Sequence, residues 1–282
     1  MKTNLKILTV VVAGVLLLGL SGVAAHAGGL VDTTFYPGDF AADSAIIDNP
    51  YWALPARTTF VYYTMPNVGD ECEINYVWVT NHTVVIEGVK ARQVQDWVYV
   101  DEGCDGEVDP EDYLSENTLD WYAQDYYGKV WYLGEWTEEY IYDDDGNFDY
   151  TSTEGSWKTG VGDAEPGIIM LDTPEVGDFY QQEYLEDEAE DIAKVLQVDA
   201  SVNLTFNEDN PNDINPGEYE DCLKTKEWSP LELGVVEHKY YCEGKLLLVN
   251  ELQGGTVRTE LVEIIDGPPP AEVKPPKLTP DF

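Results

Sequence analysis

Basic residues are scarce in this chain of 282 residues. Only 15 Lys and Arg stand against 55 Asp and Glu, a formal net charge of -40. Such a chain repels nucleic acid, whose recognition leans on basic phosphate contacts, and it is repelled by anionic lipid. It attracts cations and basic proteins. Adaptation to a salty habitat, or solubility alone, accounts equally well for much of the acid, because salt screens crowded charge. Histidine is nearly missing, with His26, His82 and His238 far apart. Neither an HExxH pair nor a serine elbow occurs, so two common hydrolase signatures are excluded. Beyond Leu20 no apolar run approaches the length of about 20 residues that a helix needs to cross a bilayer. The most apolar late run is Leu246 to Val249.

The N-terminus is organised differently. Lys2 and Lys6 precede an apolar run from Ile7 to Leu20, and Ala25-His26-Ala27 follows. A short basic region, an apolar core and small residues at the cleavage positions form a signal peptide. The rival reading is a membrane anchor, for which the run is short. Cleavage after Ala27 would start the mature chain at Gly28 and leave it secreted or extracytoplasmic, soluble and not membrane-spanning. No cysteine follows the apolar run to carry a lipid.

Cysteine is rare but even in number: Cys72, Cys104, Cys222 and Cys242. In an exported chain this favours two disulfides. Three pairings exist, and Cys72 with Cys104 and Cys222 with Cys242 is preferred, because each pair flanks adjacent expected strands. A thiolate metal site is the weaker rival, since there is no CxxC spacing. Aromatics are abundant, with 19 Tyr, 8 Trp and 7 Phe. Disordered acidic chains are poor in such residues, so this one packs a core.

Period-2 alternation dominates from Thr58 onward. Strands are expected at residues 58–65, 73–80, 83–87, 91–100, 117–125 and 129–135, rich in the Thr, Val, Tyr and Trp that strands prefer. Residues 138–142 and 148–153 flank an Asp143-Asp144-Asp145-Gly146 turn. Further strands are expected at 178–185, 200–206, 219–228, 235–241, 245–252 and 256–265. Residues 188–195 permit either a two-turn helix or a strand. The organisation is then a signal peptide at 1–27, a leader at 28–50, and a first β unit at 51–153. A Gly/Pro-rich connection at 154–176, a second β unit at 177–266 and a Pro-rich extended tail at 267–282 follow.

Two segments hint at duplication. Residues 119–135 and 236–251 each hold a polar-aromatic strand, a Gly-Lys turn and an apolar strand ending at Glu. Either two copies of one meander or a chance match of simple hairpins explains this. The expected fold is mostly β, an antiparallel meander forming an open or incomplete barrel, with duplication as an option.

Asn49-Pro50-Tyr51-Trp52-Ala53-Leu54-Pro55, Asp120-Trp121-Tyr122-Ala123-Gln124-Asp125, Lys224-Thr225-Lys226-Glu227-Trp228-Ser229-Pro230-Leu231-Glu232 and Val235-Val236-Glu237-His238-Lys239-Tyr240-Tyr241 carry a resemblance. Through them the chain, over residues 48–265, resembles an uncharacterised family of secreted β-rich prokaryotic proteins. The resemblance implies export and β structure and no residue roles. The acidic stretches at 101–116 and 207–218 look like additions to that pattern.

Those two stretches are candidate calcium loops. Calcium needs several hard oxygens around one point, and a 12-residue loop supplies them at positions 1, 3, 5, 7, 9 and 12. In the first stretch Asp101, Asp105, Asp109 and Asp112 fall at 1, 5, 9 and 12, and Glu107 offers its carbonyl at 7. Gly106 holds the tight turn, and Val108 can pin the loop to the core. This resembles an EF-hand calcium loop, with departures: Gly103 gives no ligand at position 3, Asp112 is shorter than Glu, and a strand precedes the loop. The second stretch places Asn207, Asp209, Asp213, Asn215 and Glu218 at 1, 3, 7, 9 and 12, with Ile214 at 8. The alternative for both is a solvated acidic turn. Calcium is the candidate cofactor, and no organic cofactor is indicated.

For ligands, Trp121, Tyr122, Trp131, Tyr132 and Trp136 crowd one hairpin. Alternation sends some outward, where rings can stack on sugars or cradle apolar ligands; the alternative is a core of large rings. Carboxylates such as Asp120, Asp125, Glu135 and Glu183 have the chemistry of a glycosidase pair, although 55 acids make no pair special. The leading expectation is a secreted ligand-binding or envelope-associated protein, calcium-stabilised or not, and more a binder than an enzyme. A structural or surface-assembly protein and a carbohydrate-active hydrolase are the alternatives. The expected partners are cations and a saccharide, small molecule or basic protein.

Overall fold

The structure is a computed structural model that describes residues 28–66, 71–143, 146–205, 214 and 216–282. The expected signal peptide lies outside the described residues. Strands are β1 (Asp48–Asn49), β2 (Trp52–Ala53), β3 (Thr58–Pro66), β4 (Cys72–Ile86), β5 (Val89–Asp101), β6 (Tyr113–Gln124) and β7 (Val130–Tyr142). Then come β8 (Phe148–Ser152), β9 (Trp157–Lys158), β10 (Glu165–Met170), β11 (Phe179–Gln181), β12 (Glu183–Tyr184) and β13 (Ile192–Leu204). Last are β14 (Gly217–Trp228), β15 (Glu237–Cys242), β16 (Leu246–Leu252) and β17 (Val257–Asp266).

The main sheet runs β11-β13-β14-β15-β16-β17-β3-β4-β5-β6-β7-β10-β12, with β8 and β9 also on β7. Every ladder in it is antiparallel. The two ends of this order, β11 and β12, are separated in sequence by Gln182 alone. The sheet therefore curls into a nearly closed barrel whose one unsealed seam is bridged by the chain itself. Gly167 of β10 lies against the backbone of Gln182, where a Cβ would collide. The leader pairs with the seam strand: Leu30 bridges Phe179 in parallel, and the Val31 N–H donates to the Phe179 carbonyl at 2.9 Å.

Both expected β units, 51–153 and 177–266, contribute strands to this one sheet, joined side by side where β17 pairs with β3. The expected strands 73–80 and 83–87 are a single β4, interrupted only by a bulge between Val79 and Thr83. The connection at 154–176 contains β9 and β10. Within 188–195 the chain is strand from Ile192 onward, not helix. Ala193 and Val195 alternate inward at 0% exposure against β14, a burial that a lone two-turn helix could not achieve.

The inner face holds the larger core, with Phe60, Tyr62, Val79, Val94, Tyr241 and Leu248 among its buried members. Trp52 spans the barrel, its ring 5.7 Å from that of Tyr122 and 5.6 Å from that of Tyr241. A smaller core forms outside β3–β5, where Val61, Tyr63, Ile74 and Trp97 are covered by Val273 of the tail and Val108 of the acidic loop. Disulfides join Cys72 to Cys104 and Cys222 to Cys242. Such bonds persist in oxidising compartments, so the folded chain is extracytoplasmic. Among the described residues no helix is long and apolar enough to cross a membrane.

Candidate functional site

Two places collect chemistry, one on each face of β4–β7. The inner one begins with a bulge between β6 and β7, where the register shifts between Asp120 and Tyr122. Gly134 permits it: its φ is +141°, and a Cβ there would strike the Trp157 carbonyl and the Lys158 backbone of β9. The shift brings Asp120 and Glu135 to one hydroxyl. Tyr132 Oη lies 2.5 Å from Asp120 Oδ1 and 3.1 Å from Glu135 Oε2. A tyrosine hydroxyl has one proton to donate. Two carboxyl groups held on it are therefore satisfied together when one of them keeps its own proton.

The electrostatics agree. Burial pushes the Asp120 carboxyl up to about 7, opposed by the Tyr132 hydrogen bond and aided by Glu116. Burial, then Glu183 and Asp120, hold Glu135 well above the usual carboxylate range. Burial and Asp191 push Glu183 up to about 8, although the Trp157 indole donates to it at 2.9 Å. Asp96, bonded by the Asn75 amide, is raised by burial and by Asp120 and Glu116. Tyr122 and Tyr132 stack at 4.7 Å over this cluster. Further round the barrel, buried Glu227 accepts from Thr225 and Tyr241 and pairs with Lys239 at 3.0 Å, which also pairs with Glu237 at 3.1 Å. That ion pair is compensated, so it is structural.

The outer place is a groove of about 1050 Å³ between the sheet and the C-terminal segment. Trp78, Trp97 and Trp121 form its aromatic floor, and Thr80, Gln93 and Gln95 add polar groups. Alternation puts these residues on one face. The tail, expected to be extended, is extended but docked. Leu278 is buried, Asn117 Nδ2 donates to the Pro276 carbonyl at 3.0 Å, and the Phe282 ring lies 5.8 Å from Trp121 and 5.0 Å from Trp136. Lys158 sits 4.2 Å over Phe282. Lys158, Lys274 and Lys277 all line the groove, a local concentration of cation in a chain with only 15 basic residues.

The hairpin aromatics divide between these places. Trp121 and Trp136 stand on the outer face beside Phe282, and Tyr122 and Tyr132 face inward. Trp131 is buried beneath Phe35 and Phe40 of the leader, at 5.4 and 6.2 Å. Its indole donates to Asp125 at 3.0 Å, and Asp125 also caps the Tyr127, Gly128 and Lys129 amides. Asp125 thus organises a hairpin turn, apart from Asp120, Glu135 and Glu183.

The carboxylates of the 101–112 loop are engaged locally. Asp101, 2% exposed, accepts from the Tyr63 hydroxyl and from the Asp105 and Gly106 amides. Asp112 accepts from the Glu102 and Asp109 amides, Asp105 from Glu107, and Asp109 from Glu111. Glu107 is exposed. These are Asx-type turns stapled by the Cys72–Cys104 bond. Of the second loop, Asn207, Asp209, Asp213 and Asn215 lie outside the described residues. Glu218 is exposed on β14, and Ile214 is buried. Among the described residues no three His, Cys, Asp or Glu side chains are grouped to hold a metal ion.

Sequence reasoning did not single out Trp78, Trp97, Gln93, Gln95 or Lys158. Trp78 with Thr80, and Gln93 and Gln95 with Trp97, carry an i, i+2 signal for a polar-aromatic outer face. No local signal brings Phe282 back to Trp121, because that contact is purely tertiary.

The chain is thus an extracytoplasmic, disulfide-bonded, antiparallel β protein forming a nearly closed barrel. No protein-family model matches it, and no curated protein matches it in sequence. Two solved structures align over much of it. One is a Bacteroides fragilis protein described as exported with a YmcC-like fold, at 10% identity and a TM-score of 0.37, covering 76% of this chain and 98% of its own. The other, from Parabacteroides distasonis and described as a lipoprotein, has 10% identity and a TM-score of 0.36, covering 77% of this chain and 99% of its own. Both likenesses are too distant to assign this chain a family or a role.

Proposed function

We propose that this chain is a secreted ligand-binding protein whose site is the outer groove on β4–β6 beneath the C-terminal segment. One observation carries the reading: a groove of about 1050 Å³ with a tryptophan floor and amide and hydroxyl side chains on the same wall. Binding sites combine concavity, apolar rings and a few convergent polar groups in this way. Tryptophan faces stack on sugars and flat apolar ligands; the half-buried Trp78 is the ring that offers one, backed by the buried Trp97 and Trp121, and Gln93 supplies polar contact beside it. The test is a tryptophan-fluorescence titration of the exported protein with a saccharide and small-molecule panel. Saturable quenching lost in Trp78→Ala and kept in Trp131→Phe is expected. Binding indifferent to Trp78→Ala would move the site elsewhere.

A second reading, saccharide hydrolysis, is favoured by the inner cluster. Asp120 and Glu135 share the Tyr132 hydroxyl, and acids that keep a proton near neutral pH suit general-acid work. Turnover of aryl glycosides, abolished by Glu135→Gln in a folded protein, is the expected result. No turnover by wild type across the panel would remove this reading.

A further inference from the structure

We propose that the groove's ligand is an extended, proline-bearing peptide segment, and that residues 274–282 occupy part of the site as the chain's own copy of that ligand. The inference rests on the groove being a binding site and names what it binds.

The C-terminal stretch has the conformation such a ligand needs. Pro268, Pro269, Pro270, Pro275, Pro276 and Pro280 fall within it. After a 3-10 turn at Ala271–Val273, Lys274 at φ -76°, ψ 125° is close to polyproline II, and Pro275, Pro276 and Pro280 hold φ in that range. Residues 274–282 form no strand with the sheet below them. They are held by side chains: Leu278 in the groove, Phe282 against Trp121 and Trp136, and the Asn117 amide on the Pro276 carbonyl. Phe282 remains 41% exposed. A segment without ladder bonds and with a half-open anchor detaches far more readily than a strand.

The wall matches that chemistry. Proline-rich segments present carbonyl acceptors and few N–H donors. This face supplies a matching donor where the tail lies, the Asn117 amide on the Pro276 carbonyl at 3.0 Å. Trp121 and Trp136 meet the tail through their rings, against Phe282, while their indole N–H groups stay buried and without a hydrogen-bond partner among the described residues. Aromatic grooves with a few such donors take polyproline II ligands, because such ligands are already ordered before binding. The tail fills only part of the wall, since about 1050 Å³ stays open beside it.

The test uses the full exported chain, a Leu278→Ser/Phe282→Ala variant whose tail cannot dock, and Phe282→Ala alone. Loss of a half-exposed terminal ring leaves the core intact, so this last variant keeps the test alive if the double variant misfolds. The probe is a synthetic peptide of residues 267–282, which contains no tryptophan, titrated by tryptophan fluorescence. A control peptide has Leu278 and Phe282 replaced by Ala. Tail-undocked protein should bind the peptide at least about 10-fold more tightly than wild type, and neither should bind the control. Equal binding of peptide and control by a folded undocked variant overturns the inference. If saccharides or small molecules still bind in a Trp78-dependent way, only the peptide assignment falls; if nothing binds, the groove reading falls with it.

Discussion

Replacing Asp120 by Asn should stabilise the protein more at pH 8.5 than at pH 5.5. Asp120 is 6% exposed, and its carboxyl is raised from 3.8 to about 7, first by burial. An acid raised in the folded state contributes full stability below its unfolded value and loses it as pH climbs through the folded one. The window is therefore about pH 4 to 7. A tenfold change in proton affinity corresponds to about 1.36 kcal/mol. At pH 8.5 the full difference between folded and unfolded acid is felt, a cost of about 4 kcal/mol; at pH 5.5 about half of it is, near 2 kcal/mol. Asn has no proton to lose, yet its carbonyl still accepts from Tyr132, so any residual hydrogen-bond loss of about 1 kcal/mol is common to both conditions. Asp120, Glu135 and Glu183 titrate as a group, so the effect belongs to the cluster. Both conditions lie above the sequence pI of 4.1, away from precipitation. Urea unfolding of variant and wild type, with disulfides intact, should give a gain larger by about 1–2 kcal/mol at pH 8.5. The variant-minus-wild-type difference cancels the pH response of the other acids to first order. An identical effect at both pH values, or a larger gain at pH 5.5, would refute the buried-proton account.

Asp125→Ala removes the acceptor for three turn amides and the Trp131 indole. It should destabilise by about 3 kcal/mol in urea; a loss near zero would show that water replaces the carboxylate. Opening the Cys222–Cys242 bond by a Cys→Ala pair should cost about 3 kcal/mol, and opening Cys72–Cys104, which closes a longer loop, slightly more. An unchanged melting temperature in either pair would contradict this. Because Asp101 and Asp112 already serve backbone and tyrosine donors, millimolar calcium should change the melting temperature no more than magnesium at equal ionic strength. A calcium-specific rise lost in Asp105→Asn/Asp109→Asn would show that the loop opens to bind the ion.

What the sequence determined by itself is local. Alternation of Val, Thr, Tyr and Trp dictates strands, because a period of two presents one apolar face. Gly and Asp at the 125–129 turn, and acids at 101–112 that cap neighbouring amides, act within a few residues. Cysteines that flank partner strands are near neighbours, as Cys72 opposite the end of β5 shows. Tertiary structure decided the rest. Residues 51–153 and 177–266 read as separate units, because alternation says which face is buried but not which strand is adjacent; the β17–β3 ladder joins them across some two hundred residues of chain. Residues 188–195 were ambiguous until pairing with β14 gave Ala193 and Val195 a face to bury against. Among so many acids, only the bulge at Gly134, opposite Trp121, selects Asp120 and Glu135 to share one hydroxyl. The proline-rich end has no periodicity and forms no ladder with the sheet, so its docking depends on a wall of Trp121, Trp136 and Asn117 built by strands far away in sequence.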